Sequence, residues 1–98
     1  MSLPLSIRPE AEQDLADARD WYEQQREGLG IEFATAVEET FARIGDFPET
    51  YAAGYGGVRP VGLRRFPYVV YYRIIRDGVE VLAVLHGSRH VRQWRSRL

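Results

Sequence analysis

"RRFPYVVYYRIIRDGVEVLAVLH" spans residues 64–86. Two runs rich in Val, Ile and Tyr (64–75 and 79–86) flank the pair Asp77-Gly78. Apolar runs joined by Asp-Gly read as a β-hairpin with a type I′ turn, because both central positions of that turn need positive φ. The turn sets a register. It places Val70 opposite Leu85, Tyr72 opposite Ala83 and Ile74 opposite Val81, a face that is apolar apart from one phenol and expected to pack inward. The other face then carries Val69/His86, Tyr71/Val84, Arg73/Leu82 and Ile75/Glu80, and brings Arg73 and His86 to one side. A slip of one residue would exchange the two faces.

Working outward, "VRPVGL" (58–63) reads as a further strand, confined by Pro60 to an edge or bulge. "ETYAAGYGG" (49–57) reads as a mobile loop. "PLSIR" (4–8) is a short first strand. Pro9 suits the first turn of a helix, and Glu10, Glu12 and Asp14 favour its positive end. That helix is predicted over Pro9–Glu27, with Ala11, Leu15, Ala18, Tyr22 and Gln25 on one stripe and Trp21 beside it. "EGLG" (27–30) ends it, with Gly28 or Gly30 as C-cap. A second helix over Ile31–Asp46 carries Phe33, Ala34, Val37, Phe41 and Ile44, and Pro48 stops it. So short a connection makes the two helices an antiparallel hairpin. Val91, Trp94 and Leu98 fit a short C-terminal helix with one apolar side, leaving Arg92, Arg95 and Arg97 for its wet side. The expected fold is α+β, a single domain over residues 1–98 in the order β-α-α-β-β-β, with an antiparallel sheet packed on the helical hairpin.

Composition narrows the chemistry. The chain of 98 residues has no cysteine, so disulfides, thiolate nucleophiles and Cys-based zinc sites are excluded and a reducing cytoplasm suits it. "MSLPLSIRPE" (1–10) does not have the pattern of a signal peptide, and no apolar run reaches the roughly 20 residues of a membrane span. All 13 basic residues are arginine, which removes lysine as a catalytic base or Schiff-base former. Net charge is −1, but the balance is −8 over residues 1–50 and +7 over residues 51–98. Such polarity points the C-terminal half toward a polyanion or an acidic partner.

"LHGSRHVRQWRSRL" (85–98) holds both histidines. His86 and His90 are four apart, but Gly87 disfavours a helix through both and no third ligand stands nearby, so no metal and no cofactor is expected. Ser88 sits in no nucleophile elbow, and "GYGG" (54–57) lacks the Lys and Ser/Thr of a phosphate loop. The better candidate is the set Arg64, Arg65, Arg73, His86, Arg89, Arg92 and Trp94. Arginines interleaved with aromatics can hold phosphates and stack bases, and a histidine can act as acid or base on a ribose 2′-hydroxyl. The competing readings of this set are a protein interface and plain structure. Trp21-Tyr22 reads as core or its margin, with a binding surface as the alternative.

Taken together, "AEQDLADARDWYEQQREGLGIEFATAVEETFARIGDFPE" (11–49), "VRPVGLRRFPYVVYYRI" (58–74) and "VLAVLHGSRHVRQW" (81–94) resemble the RelE/ParE toxin superfamily over nearly the whole chain. Phe66-Pro67-Tyr68…Tyr72 and His86…Arg89…Trp94 are similar to its ParE branch, often called plasmid stabilisation proteins. The resemblance implies a cytoplasmic toxin of a type II toxin–antitoxin pair, non-enzymatic and acting on DNA gyrase. Its partner would be a cognate antitoxin, ParD-like or another short DNA-binding protein. The alternatives it leaves are a RelE-like ribosome-dependent mRNA endoribonuclease, with His86 as acid/base and Arg73 and Arg89 on the phosphate, and a non-toxic relative that only binds antitoxin. Against the nuclease, Tyr68 is followed by Val69 where RelE-type enzymes carry an arginine, and Trp94 has no phenol to move a proton. Against an unmodified ParE tail, Arg89 is followed by His90-Val91 and not by Asp-Pro.

Overall fold

A computed structural model describes residues 2–88 and 92–98. The elements are β1 (Leu5–Ile7), α1 (Pro9–Gln25), α2 (Leu29–Asp46), a 3₁₀ turn (Tyr55–Gly57), β2 (Arg59–Gly62), β3 (Tyr68–Ile75), β4 (Gly78–His86) and α3 (Arg92–Arg95). The α+β order matches the expected one. The sheet runs β1-β4-β3-β2, and one pairing differs from expectation: β1 lies parallel to β4, while β2, β3 and β4 are mutually antiparallel. Both helices, β2 and β3 lie between β1 and β4 in the chain, so this parallel pair is joined by a long crossover and not by a tight turn.

Pro9 occupies the first turn of α1 with Glu10 and Glu12 near it, as the helix dipole favours. The helix ends at Arg26, and Gly28 takes a left-handed conformation (φ 87°) to cap α2 instead of α1. Glu23 completes that joint: its carboxylate accepts the N–H of Gly28 at 3.0 Å and of Gly30 at 2.9 Å. These are two of the orphan donors of a helix start. They hold the Glu23 carboxyl below its ordinary value, the Gly28 bond foremost.

Ala11 and Ala18 of α1 and Phe33, Ala36, Val37, Thr40 and Ile44 of α2 are buried against Val70, Tyr72, Val79, Val81 and Val84 of the sheet. Gln25, expected on the α1 stripe, is exposed. Thr40 satisfies its buried hydroxyl on the Ala36 carbonyl at 2.9 Å. The Tyr72 hydroxyl, equally deep, donates to the Pro48 carbonyl at 2.6 Å.

The hairpin register differs from the expected one. Ile75 stands opposite Gly78, so the turn residues are Arg76-Asp77. Neither has positive φ, and nor does Gly78, which excludes a type I′ turn. Gly78 serves another purpose: a Cβ there would run into the Pro4 carbonyl as β1 crosses it. Close to the turn, this displacement keeps the expected inward faces of Tyr72, Ile74 and Val81. Between Tyr71/Ala83 and Tyr72/Val81 the ladder then slips by one, leaving Leu82 as an extra residue. Such a bulge reverses which side each later residue of β4 faces. Val84 therefore packs toward the helices, Ala83 and Leu85 turn to the back, and His86 pairs with Tyr68 where Leu85 pairs with Val69.

The back face has its own core. Val58, Leu82, Ala83 and Leu85 are covered by Trp94 of α3, whose indole stacks on Tyr71 at 5.2 Å and 20°.

Candidate functional site

The β4 bulge is held by two side chains far apart in sequence. Asp14 of α1 accepts the Val84 N–H at 3.0 Å. Arg97 forks onto the same carboxylate at 2.6 and 3.1 Å and donates to the Leu82 carbonyl at 3.0 Å. The Arg97 carbonyl in turn accepts from the Arg8 guanidinium. Leu82, which has no ladder partner, and Val84, which stays opposite Val70, thus each place a backbone group on the ion pair. The paired side chains are only 17% and 12% exposed, and the bond to Asp14 raises the Arg97 pKa further above its ordinary value. Arg97 was expected on the wet side of the tail. Its partner left a trace in the sequence: Asp14 lies on the stripe of Ala11 and Ala18, and a carboxylate on a buried helix face demands a counter-charge.

Above this clamp opens a cleft of about 710 Å³ between α1 and the ends of β3 and β4. Asp17, Ala18, Trp21 and Tyr22 form its helical wall; Tyr68, His86 and Ser88 form the opposite one. Its rings touch in series. Trp21 meets Tyr22 edge-on at 5.1 Å, Tyr22 meets Tyr68 at 5.9 Å, and Tyr68 meets His86 at 5.5 Å. Burial, and then the neighbouring Tyr68, push the Tyr22 phenol above its ordinary value. Ser88 fixes the histidine. Its backbone N–H reaches His86 Nδ1 at 3.1 Å and its hydroxyl lies 2.8 Å from the same atom. An N–H can only donate, so Nδ1 keeps its lone pair and the neutral ring carries hydrogen on Nε2.

The seven residues proposed from sequence do not form one patch. His86 opens into the cleft on the helix side, where it was expected to face away. Arg73 projects from the back of the sheet, bound through Nε to Glu80 at 2.8 Å, so the pair expected to share a face is divided by the bulge. Arg64 is exposed in the β2–β3 turn. Arg65 beside it, with φ 71°, pairs with Glu32 of α2 at 2.8 Å. Arg92 is exposed on α3, whereas Trp94 is 6% exposed and acts as a core residue of the back face. Arg89 and His90 lie outside the described residues. Sequence reasoning missed Asp14, Arg97 and Ser88 as partners, and of the pair Trp21-Tyr22, read as core or its margin, Trp21 is 54% exposed while Tyr22 packs against the core. Among the described residues no group of three His, Cys, Asp or Glu side chains is placed to hold a metal ion, and no helix is long and apolar enough to cross a membrane.

No curated protein matches the sequence. The fold has a solved counterpart, a chain of the chromosomal ParDE TA system from P. aeruginosa. It superposes with a TM-score of 0.76 over 87% of this chain and 96% of that one, at 18% identity. At family level, the profile described as "ParE toxin of type II toxin-antitoxin system, parDE" matches residues 5–91. The match extends from β1 past the end of β4 and takes in the helical hairpin and the whole sheet, so the chain belongs to the ParE toxin family of type II toxin–antitoxin systems.

Proposed function

We propose that this chain is a non-enzymatic, cytoplasmic inhibitor of DNA gyrase, held inactive by a ParD-like or other short DNA-binding antitoxin. The observation that carries the non-enzymatic reading is the separation of Arg73 from His86. A ribonuclease needs a cation on the scissile phosphate beside its acid or base. Arg73 is on the far face and already matched by Glu80, while the cleft that His86 lines carries the exposed carboxylate of Asp17, which repels a phosphate, and Arg97, the cation among its described lining residues, is already matched by Asp14. Tyr68 is followed by Val69, which supplies no substitute.

Two features suit an antitoxin. An apolar groove of about 440 Å³ runs along the helical hairpin, lined by Leu15, Phe33, Val37 and Phe41, and takes the shape of an amphipathic helix. β1 and β2 leave two edges to which an extended segment can add. Acidic groups of that partner would reach Arg64, Arg65 or Arg89.

Induced expression should arrest bacterial growth, and co-expression of the neighbouring reading frame should relieve it. Purified protein should inhibit gyrase supercoiling, and His86→Ala should not restore growth. Codon-phased cleavage of ribosome-bound mRNA that disappears in His86→Ala would replace this reading with the nuclease. Harmless expression in several hosts would leave only a non-toxic antitoxin binder.

A further inference from the structure

Ile31, Phe47, Tyr55 and Trp21 are large apolar side chains left more than half exposed, and of these it is Trp21 that lines the cleft. It stands on a helix whose other side is core. Asp14, Asp17, Ala18 and Trp21 follow one another at the i, i+3, i+4, i+7 spacing of a single helix face, and that face borders the cleft. Opposite stand Tyr68 and His86. The cleft therefore offers a row of ring faces and edges with carboxylates at one end.

The charges are not equal. Asp14 is matched by Arg97, the cation nearest the base of the cleft. Asp17 is exposed, bonded through one oxygen to Gln13 at 2.7 Å, and pairs with no cation among the described residues. An exposed indole one helical turn from an unmatched carboxylate suits a group that is flat, cationic and rich in N–H donors. A guanidinium has that chemistry: it stacks on an aromatic face while its edge pairs with a carboxylate. A nucleic acid would also stack on these rings, but its phosphates would meet Asp17.

We propose that the cleft between α1 and the β3–β4 ends is a docking site for an arginine side chain of a protein partner, stacked on Trp21 and paired with Asp17. It is separate from the antitoxin groove, which lies between α1 and α2 and is lined by other residues of α1, among them Leu15, Ala16 and Arg19. It does not depend on gyrase being the target; toxicity and arginine docking can fail independently.

The test is a titration of the intact protein with N-acetyl-arginine methylamide, read on the Trp21 indole N–H resonance, which disappears in Trp21→Ala. The glutamate analogue and a short single-stranded oligonucleotide serve as comparison probes. The arginine probe should give a saturable shift at Trp21 and none at Trp94, with the glutamate analogue at least tenfold weaker. Asp17→Asn, at an exposed position that leaves the fold intact, should weaken the arginine probe about fivefold. An equal response to arginine and glutamate probes, tighter binding of the oligonucleotide at Trp21, or unchanged affinity in Asp17→Asn would each overturn the proposal.

Discussion

Replacing Arg97 with alanine should destabilise the protein far more than removal of an ordinary surface arginine. Three contacts are lost together: the two-pronged bond to Asp14 and the bond to the Leu82 carbonyl. What remains is worse than the loss itself. Asp14, 12% exposed, keeps its charge with only the Val84 N–H as partner, and the Leu82 carbonyl loses its donor at a strand position that has no ladder partner. Breaking a fully buried pair by deleting one member costs about 3–5 kcal/mol. Water reaches the rim of this pair, so the expected loss is about 2–4 kcal/mol. A domain of this size holds roughly 5–15 kcal/mol in total, so the variant should still fold. In urea, with a slope of about 1.5 kcal/mol/M, the midpoint should fall by about 1.3–2.7 M. Arg97→Lys should land between, since an ammonium keeps the charge but cannot fork. Asp14→Asn preserves an acceptor for Val84, and the cycle of Asp14→Asn with Arg97→Ala should give a coupling of about 1–3 kcal/mol. A loss below about 0.5 kcal/mol at unchanged slope, or additive single variants, would refute the clamp and make Arg97 a solvated surface charge.

Acid should loosen the helical joint. Glu23 and Glu32 are both held below the ordinary value of 4.5, Glu23 by the Gly28 and Gly30 N–H groups and Glu32 by Arg65 and Arg26. A depressed carboxyl stabilises the fold above its unfolded value and loses that contribution as pH falls through the folded one, so urea midpoints should drop below about pH 4.5, and less steeply in Glu23→Gln. Tyr72→Phe strands the Pro48 carbonyl and should cost about 1–2 kcal/mol in the same assay. Gly78→Ala should push β1 off β4, read as lost exchange protection at Val79, whose N–H bonds the Pro4 carbonyl at 3.0 Å; full protection there would show that the crossing has room.

Periodicity and punctuation carried the helices, the strands and their order, because Pro9, Gly28, Pro48 and the Val/Tyr runs act on their own neighbourhood. The turn and the bulge were not legible in that way. Asp77-Gly78 has the composition of a type I′ turn, yet Gly78 is needed by Pro4, seventy-four positions earlier in the chain, and the turn moves to Arg76-Asp77. Nothing in "EVLAVLH" marks Leu82 as the extra residue, since every neighbour is apolar and either register buries well. That one position decided the site: with the bulge, His86 joins Tyr22 and Tyr68, and without it His86 would stand beside Arg73. Trp94 shows the same limit from the other side, because an aromatic in an arginine-rich tail reads as a binding residue until Tyr71 is known to lie beneath it.

The parallel pairing of β1 with β4 also has a consequence in time. The β3–β4 hairpin can close from neighbouring residues, and the two helices can meet through one short turn, but Leu5 must find Val79 across most of the chain. Contacts of such separation form after the local ones, since their loop entropy is recovered only once the intervening structure exists. β1 is three residues long and sits at an edge. It should therefore join the sheet late and leave it early, and in each such interval the open edge of β4 would present unpaired backbone amides.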